Sequence, residues 1–141
     1  MERHASAVWN GDLKAGKGVM TSQSGAFSDL PFSFDTRFGE TPGTNPEELV
    51  AAAHAGCFSM AFSNGLAQAG LDPTEVATTA TATLELVDGG FEVTRMTLVT
   101  KARVPGATVA QVEEIGAAAK AGCPISKLLN AEITLDLTVE V

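Results

Sequence analysis

Residues 45–62 read NPEELVAAAHAGCFSMAF and predict the longest helix of the chain. Asn45 is a residue type preferred at the N-cap, and Pro46 suits the first helical position. The acidic residues that follow complement the positive end of the helix dipole, and Glu48 stands where a capping box would need it. The helix is expected to end near Gly70. Apolar residues occur on every side beyond its first turn, so the helix has to be covered by protein all round.

Sheet segments and a second helix are predicted downstream. Residues 76–87 and 91–104 alternate and are rich in Thr and Val, and the Asp-Gly-Gly at 88–90 between them is a hairpin signal. Residues 108–120 have helical periodicity, and residues 133–141 alternate as a closing strand. We therefore expect two long antiparallel strands, a helix and a final strand.

The N-terminal third reads as strands and turns. Strands are predicted at 5–9, 18–22 and 32–38, and the alternation in the last of these places Arg37 on the face opposite the phenylalanines. The whole pattern predicts an α+β fold, with antiparallel sheet wrapped on helices. We find no repeat or linker, so one domain over residues 1–141 is the simplest organisation.

Composition excludes several classes of protein. A chain of 141 residues can fold without a disulfide or a metal. A net charge of −8 without a Lys/Arg cluster argues against a nucleic-acid partner. Polar residues and glycines interrupt the apolar stretch 49–71, which argues against a membrane span. No signal or transit peptide is indicated, so a cytoplasmic location is expected.

The cysteines are the candidates for chemistry. In a reducing cytoplasm a cysteine pair is more often catalytic or metal-binding than structural. Cys57 lies about three turns into the first predicted helix, too far from its start for the dipole to lower the thiol pKa. A cation would have to do so, and Arg37 is the candidate. The competing interpretations are a Cys57 that only fills the core and an Arg37 that is merely exposed.

Local electrostatics leave the roles of the two thiols open. Cys123 precedes Pro124 at a possible helix start, so its surroundings favour a low pKa more than those of Cys57 do. His54 lies three residues before Cys57 and could act as a base or, with both cysteines, as a metal ligand. A histidine in an apolar helix is usually a core residue, and this set suits zinc poorly. The presence of Glu47 and Glu48 is already explained by their position in the first turn of the helix, where acidic side chains are favoured.

Five motifs occur in this order along the chain: FDTRFG at 34–39, GTNPEEL at 43–49, AAHAGCFSMA at 52–61, KAGCPIS at 120–126 and AEITL at 131–135. Taken together they resemble the motifs of the OsmC and Ohr family, the osmotically induced and organic hydroperoxide resistance proteins of bacteria. The resemblance is nearer to the OsmC branch. It implies curled antiparallel sheets around central buried helices, in an intertwined homodimer with active sites at the subunit interface.

The same resemblance implies a two-cysteine peroxidase without a metal, flavin or haem cofactor, which reduces organic hydroperoxides and, to a lesser or comparable extent, hydrogen peroxide. Cys57 would be the attacking thiolate and would become a sulfenic acid, and Cys123 would then form a disulfide with it. Arg37 would be the active-site arginine and Glu47 the residue that orients it. An external dithiol, in this family typically a lipoyl group on a protein, would reduce the disulfide. The alternative is a non-enzymatic stress-response, ligand-binding or redox-sensing domain on the same fold.

Overall fold

The computed structural model describes all of Met1–Val141. Contacts within the chain divide it into two compact units, Met1–Leu49 and Val50–Val141, which are described in turn. Each unit has a three-stranded sheet, and helices complete the chain, which confirms the α+β class. The organisation as one domain stays a prediction.

The first unit is an antiparallel sheet followed by a short helix. Strands β1 (Ala5–Asn10), β2 (Lys17–Ser22) and β3 (Leu30–Ser33) pair in the order β1-β2-β3. Each neighbouring pair is antiparallel. Helix α1 (Phe34–Phe38) follows β3 directly. The two predicted strands at 5–9 and 18–22 are confirmed.

The predicted strand at 32–38 is wrong beyond its first residues, because the chain turns into α1 at Phe34. Ser33 caps this helix: its hydroxyl accepts from the backbone N–H of Thr36 at 3.1 Å, and its own N–H donates to Thr36 Oγ1 at 2.9 Å. Phe34 and Phe38 are four residues apart, a spacing that suits both a strand face and a helix face. Their rings pack at 4.9 Å between centroids on α1. The alternation alone therefore did not distinguish the two structures.

Helix α2 (Pro46–Gln68) begins where the sequence predicted. The backbone N–H of Glu48 donates to Asn45 Oδ1 at 2.9 Å, which is half of a capping box. The other half is missing, since the Glu48 carboxylate accepts from the Thr44 hydroxyl at 3.3 Å instead. Gly70, with φ of +74°, ends the helical path as expected, because a left-handed conformation there favours glycine.

The sheet of the second unit contains the predicted hairpin. Strands β4 (Glu75–Val87) and β5 (Gly90–Arg103) are antiparallel, and β6 (Glu132–Glu140) completes the order β4-β5-β6. Asp88 and Gly89 form the turn with φ of +49° and +85°. Two positive φ values are typical of a type I′ turn, which matches the twist of the strands it joins.

One strand pair differs from the expected antiparallel sheet, because β6 runs parallel to β5. Helices α3 (Val109–Gly122) and α4 (Pro124–Leu128) lie between these two strands in sequence. Parallel neighbours need such a crossover, because the chain has to return to the end of the sheet where it started. Thr108 caps α3 through a reciprocal capping box with Gln111.

One stripe of α2 lies in the core of the second unit. His54, Phe58, Phe62 and Leu66, spaced four apart, are each 0% exposed. The other sides are not covered within the chain, and Met60 remains 76% exposed. Burial on all sides is therefore not achieved by one copy of the protein. The apolar core around this stripe comprises Leu98, Ala102, Val104, Ala107, Val112, Ala119 and Cys123.

Helix α2 is also long and apolar enough to cross a membrane. An 18-residue window within it has a mean hydropathy of 1.2, and 22% of that window is buried in the chain. Core helices of soluble proteins meet the same criterion. The buried stripe of α2 packs on its own sheet and helices, and it includes His54, whose ring is hydrogen-bonded to a serine. We therefore interpret α2 as a core helix.

Truncating this stripe is expected to destabilise the fold. Leu66→Ala should lower the free energy of unfolding by about 2–5 kcal/mol, because it leaves a cavity in the core. Leu128 is the matched helical control at 75% exposed, and Leu128→Ala should change stability by less than about 0.5 kcal/mol. Urea denaturation at one fixed protein concentration measures both. Equal losses for the two variants would contradict the assigned core.

Candidate functional site

The two cysteines lie side by side in the second unit. Cys57 is on α2 and Cys123 is the residue before α4, and their Sγ atoms are 3.0 Å apart. Both are free thiols, with Cys57 partly exposed and Cys123 fully buried. A disulfide requires about 2.05 Å between the sulfurs, so a movement of about 1 Å would join them. The arrangement suits reversible dithiol–disulfide chemistry.

The surroundings of the pair make the two thiols unequal. Burial raises the pKa of the Cys57 thiol, and its hydrogen bond to Cys123 raises it further, while the backbone N–H of Ile125 acts in the opposite direction. Burial would also raise the pKa of Cys123, but hydrogen bonds from Cys57, Ser126 and the Ile125 backbone outweigh it and lower that pKa. These surroundings favour the thiolate at Cys123 over the thiolate at Cys57.

The start of α4 explains this difference. The first backbone N–H groups of a helix have no partner within it, so they are free to bind a group placed at the N-cap. Cys123 occupies that position, and although its sulfur makes no capping hydrogen bond, the nearby backbone N–H groups of Ile125 and Ser126 lower its pKa. This agrees with the local electrostatics of the sequence, which favoured the Cys123 thiolate.

His54 is a buried residue and neither of its ring nitrogens bonds a thiol. Its Nε2 lies 2.9 Å from Ser126 Oγ, and its Nδ1 is buried without a hydrogen-bond partner. Burial lowers the pKa of His54, which favours the neutral ring. No three His, Cys, Asp or Glu side chains are grouped so that they could hold a metal ion together. The geometry thus supports neither the base nor the metal-ligand interpretation of this histidine.

Ser126 is the polar residue that sequence reasoning missed. It is 8% exposed, and its Oγ lies 2.9 Å from His54 Nε2. The only available signal was its position in the Cys-Pro-Ile-Ser motif, three residues after a cysteine. Its partner His54 is far away in sequence, so only the tertiary structure identifies the contact.

Arg37 and Glu47 form a clamp in the first unit. The Nε of Arg37 donates to both carboxylate oxygens of Glu47 at 3.1 Å, and Nη2 donates to Oε1 at 2.5 Å. The Arg37 guanidinium also stacks on the Phe38 ring, 4.9 Å from its centroid. The predicted strand placed Arg37 on the face opposite the phenylalanines, and that placement is wrong. The carboxylate and the ring hold the guanidinium in one orientation, while its side chain stays 36% exposed. Glu48 takes no part in this clamp.

A cavity of about 220 Å³ lies beside the clamp within the first unit. Its walls are predominantly apolar, and Arg37 is the one charged residue among them. Such a pocket suits a small apolar molecule with one polar end. The lining residues are Trp9, Leu13, Phe32, Ser33, Phe34, Arg37, Phe38 and Pro46.

Comparisons with known proteins identify the family. Residues 38–138 match the family model described as OsmC-like protein. The chain belongs to the OsmC family. It is 48% identical over 136 residues to Peroxiredoxin OsmC of Escherichia coli K12, a match covering 96% of this chain and 95% of that protein. The matched region of the family model includes Glu47 and both cysteines and begins one residue after Arg37.

Two further matches come from the Ohr branch of this OsmC family. An organic hydroperoxide resistance protein of Xanthomonas axonopodis pv. citri is 33% identical over 98 residues, covering 69% of this chain and 67% of that protein. The crystal structure of OhrB, the organic hydroperoxide resistance protein of Bacillus subtilis, superposes with a TM-score of 0.71. The two sequences are 26% identical, and the match covers 96% of this chain and 98% of the OhrB chain. The resemblance read from the motifs is confirmed.

The sulfur geometry predicts an easily formed internal disulfide. Diamide oxidises thiols without supplying a peroxide, and it should remove both free thiols and leave a single-chain species on a non-reducing gel. The reason is the 3.0 Å separation of the two sulfurs. Cys123→Ser should show no internal disulfide under the same conditions. A product joined mainly between chains would contradict the described pairing.

Proposed function

We propose that this OsmC-family chain is a thiol peroxidase that reduces organic hydroperoxides, and also hydrogen peroxide, through Cys57 and Cys123. The observation that carries the proposal is the 3.0 Å contact between the two free thiols. Relatives named peroxiredoxin and organic hydroperoxide resistance protein support the substrate class. No metal, flavin or haem enters the cycle, because sulfur supplies both electrons.

Cys57 is the proposed attacking residue, although the pKa of Cys123 is the one that is lowered. Cys123 is 0% exposed, whereas Cys57 is partly exposed and so is open to a peroxide. The Cys57 thiolate attacks the distal peroxide oxygen, the O–O bond breaks, and its electron pair leaves with the alkoxide, which takes a proton to become the alcohol. Cys57 is then a sulfenic acid.

Cys123 is the proposed resolving residue. Its thiolate attacks the sulfenic sulfur of Cys57, an S–S bond forms, and hydroxide leaves and becomes water. The lowered pKa of Cys123 favours this step, because the thiolate is the nucleophile. An external dithiol, proposed to be the lipoyl group of a protein, then reduces the disulfide.

Arg37 is the proposed cation that the Cys57 thiol requires. Burial raises the pKa of that thiol, so an unassisted Cys57 would be mostly protonated at neutral pH. A guanidinium stays charged at any relevant pH and stabilises both a thiolate and a departing alkoxide. Glu47 is proposed to orient it, on the evidence of the two-oxygen clamp. The apolar cavity beside Arg37 suits the organic part of the substrate.

The proposed assembly is an intertwined homodimer in the cytoplasm, with no nucleic-acid or membrane partner. Supporting the dimer, α2 is apolar on all sides but buries only one stripe within the chain, and Met60 is 76% exposed. A second copy would cover this surface. The net charge of −8 disfavours binding to phosphate backbones or anionic lipid.

Cysteine variants should separate the two sulfur roles. With cumene hydroperoxide and dihydrolipoamide, the native chain should turn over, and Cys57→Ser should consume no peroxide above the uncatalysed rate. Cys123→Ser should undergo one oxidation and accumulate a sulfenic acid that dimedone traps. Stopped-flow and mass spectrometry measure these outcomes. Full turnover by Cys57→Ser, or no turnover by the native chain, would favour the ligand-binding or redox-sensing alternative.

Arginine variants should test the proposed cation. Arg37→Ala should slow oxidation of Cys57 by a hydroperoxide by about 100-fold, because an aimed charge at the reacting atoms is lost. Arg37→Lys should recover only part of the rate, since an ammonium does not make the two-oxygen clamp with Glu47. Single-turnover stopped-flow measures the oxidation rate.

Arg95 offers the matched control, because it also pairs with a glutamate, Glu132 at 3.4 Å, on an exposed surface. Arg95→Ala should leave the oxidation rate at the native value. A native rate in Arg37→Ala would refute the assignment of the cation.

A further inference from the structure

His54 and Ser126 take no part in the proposed cycle, yet they join the two segments that carry its sulfurs. His54 and Cys57 lie on α2, while Cys123 is the N-cap of α4 and Ser126 lies within it. Ser126 Oγ is 2.9 Å from His54 Nε2. Cys123 Sγ is 3.0 Å from Cys57 Sγ. The two segments are therefore connected at two points.

The two connections lie one helical turn apart on both segments. His54 precedes Cys57 by three residues, and Ser126 follows Cys123 by three residues. Residues three apart on a helix are neighbours on one face, about 5–6 Å from each other. One contact lets two segments pivot about it, whereas two contacts a turn apart also restrict that rotation. The hydrogen bond thus lies where it limits how far the sulfurs can separate.

Helix α4 depends on tertiary contacts for its position. It has only five residues, too few for a helix to be stable alone. Its one buried residue is Ser126, and Leu128 is 75% exposed. The backbone N–H of Cys123 donates to the carbonyl of Ala119 at 2.8 Å, which ties the start of α4 to α3 and leaves its distance from α2 free. The contact with His54 supplies a direct hydrogen bond from α4 to α2.

The polar pair lies in the core at a cost to stability. His54 is 0% exposed, and its Nδ1 has no hydrogen-bond partner. Apolar side chains at both positions would avoid this unpaired nitrogen. Apolar packing, such as that of Ile125, brings α4 to the core but is not directional. A buried hydrogen bond specifies one distance and one orientation, so the pair is better explained by positioning than by stability.

We propose that the His54–Ser126 hydrogen bond holds α4 against α2 in the reduced protein and so keeps Cys57 and Cys123 within reach of a disulfide. His54 and Ser126 are then positioning residues, which act through the two sulfurs. The proposal rests on the proposed function, because the disulfide is an intermediate of that cycle.

The expected effect is on the thiol–disulfide equilibrium. Oxidation removes two electrons and two protons from the thiols and forms one S–S bond. In the disulfide this bond holds the segments together, so the hydrogen bond matters most in the dithiol, whose segments can separate. Loss of the hydrogen bond lowers the fraction of dithiol molecules that have their sulfurs in contact. The equilibrium constant for disulfide formation then falls with that fraction.

Equilibration with reduced and oxidised dithiothreitol measures this constant without a peroxide, because the oxidised reagent takes up the two electrons and two protons. Ser126→Ala should lower the constant about fivefold, the size expected for one lost hydrogen bond. The double variant His54→Leu/Ser126→Ala should show the same loss. Acid quench and thiol alkylation give the amounts of oxidised and reduced protein.

The double variant also separates positioning from stability. Urea denaturation of the reduced chain, at one fixed protein concentration, should give it a free energy of unfolding near the native value. The reason is that replacing both partners by apolar groups leaves no polar group unpaired. A purely structural pair would show the reverse, a loss of stability with a native thiol–disulfide equilibrium.

Two further variants serve as controls. Ser126→Thr keeps a hydroxyl and should retain the native equilibrium constant. Ser59→Ala removes from α2 a hydroxyl that donates to Thr78 Oγ1 on β4 at 2.9 Å. This hydrogen bond does not join α2 to α4, so its loss should leave the native equilibrium constant unchanged.

The outcomes distinguish the two proposals. If the native chain forms no disulfide, the two-cysteine cycle fails and this inference fails with it. If the disulfide forms but Ser126→Ala and the double variant match Ser59→Ala, the positioning role is refuted while the cycle stands. A loss in Ser126→Thr as large as in Ser126→Ala would also refute it. So would a double variant that does not fold, because stability would then account for the pair.

Discussion

The burial of one stripe of α2 is the constraint on which the rest of the second unit depends. His54, Phe58 and Phe62 are completely buried, so the rotation of the helix about its axis is determined by hydrophobic packing. That rotation leaves Cys57 beside the stripe, partly exposed and still in contact with the core. The same core includes Cys123, which α3 delivers at its C-terminal end. Packing of apolar side chains therefore sets the distance between two sulfurs, although neither sulfur contributes much to stability.

Two physical effects divide the chemistry between these sulfurs. Exposure favours Cys57 as the residue that meets a substrate, whereas hydrogen bonds at the start of α4 favour Cys123 as the thiolate. A single thiol would have to be both accessible and easily ionised. In a pair these two requirements are separable, because the buried thiol can be the easily ionised one while the accessible thiol meets the substrate.

The clamp of Arg37 and Glu47 solves a different problem, the orientation of an exposed cation. A free arginine side chain would lose considerable conformational entropy when it orders around a reacting group. The carboxylate and the Phe38 ring restrict the guanidinium beforehand, at the edge of an apolar cavity. The proposed peroxide chemistry benefits from such preorganisation, because the charge need not reorganise during the reaction.

By itself the sequence determined the elements whose signals are local. The N-cap at Asn45 and the Asp-Gly turn depend on neighbours within a few residues, and the structure agrees with both. The motifs of the OsmC family are also short stretches of sequence, and the family match agrees with them. Only the tertiary structure decided the rest. Residues 34–38 form a helix because of the cap at Ser33, since a spacing of four residues fits both a strand and a helix. The partnership of His54 with Ser126 joins residues distant in sequence, and no local pattern reports such a contact.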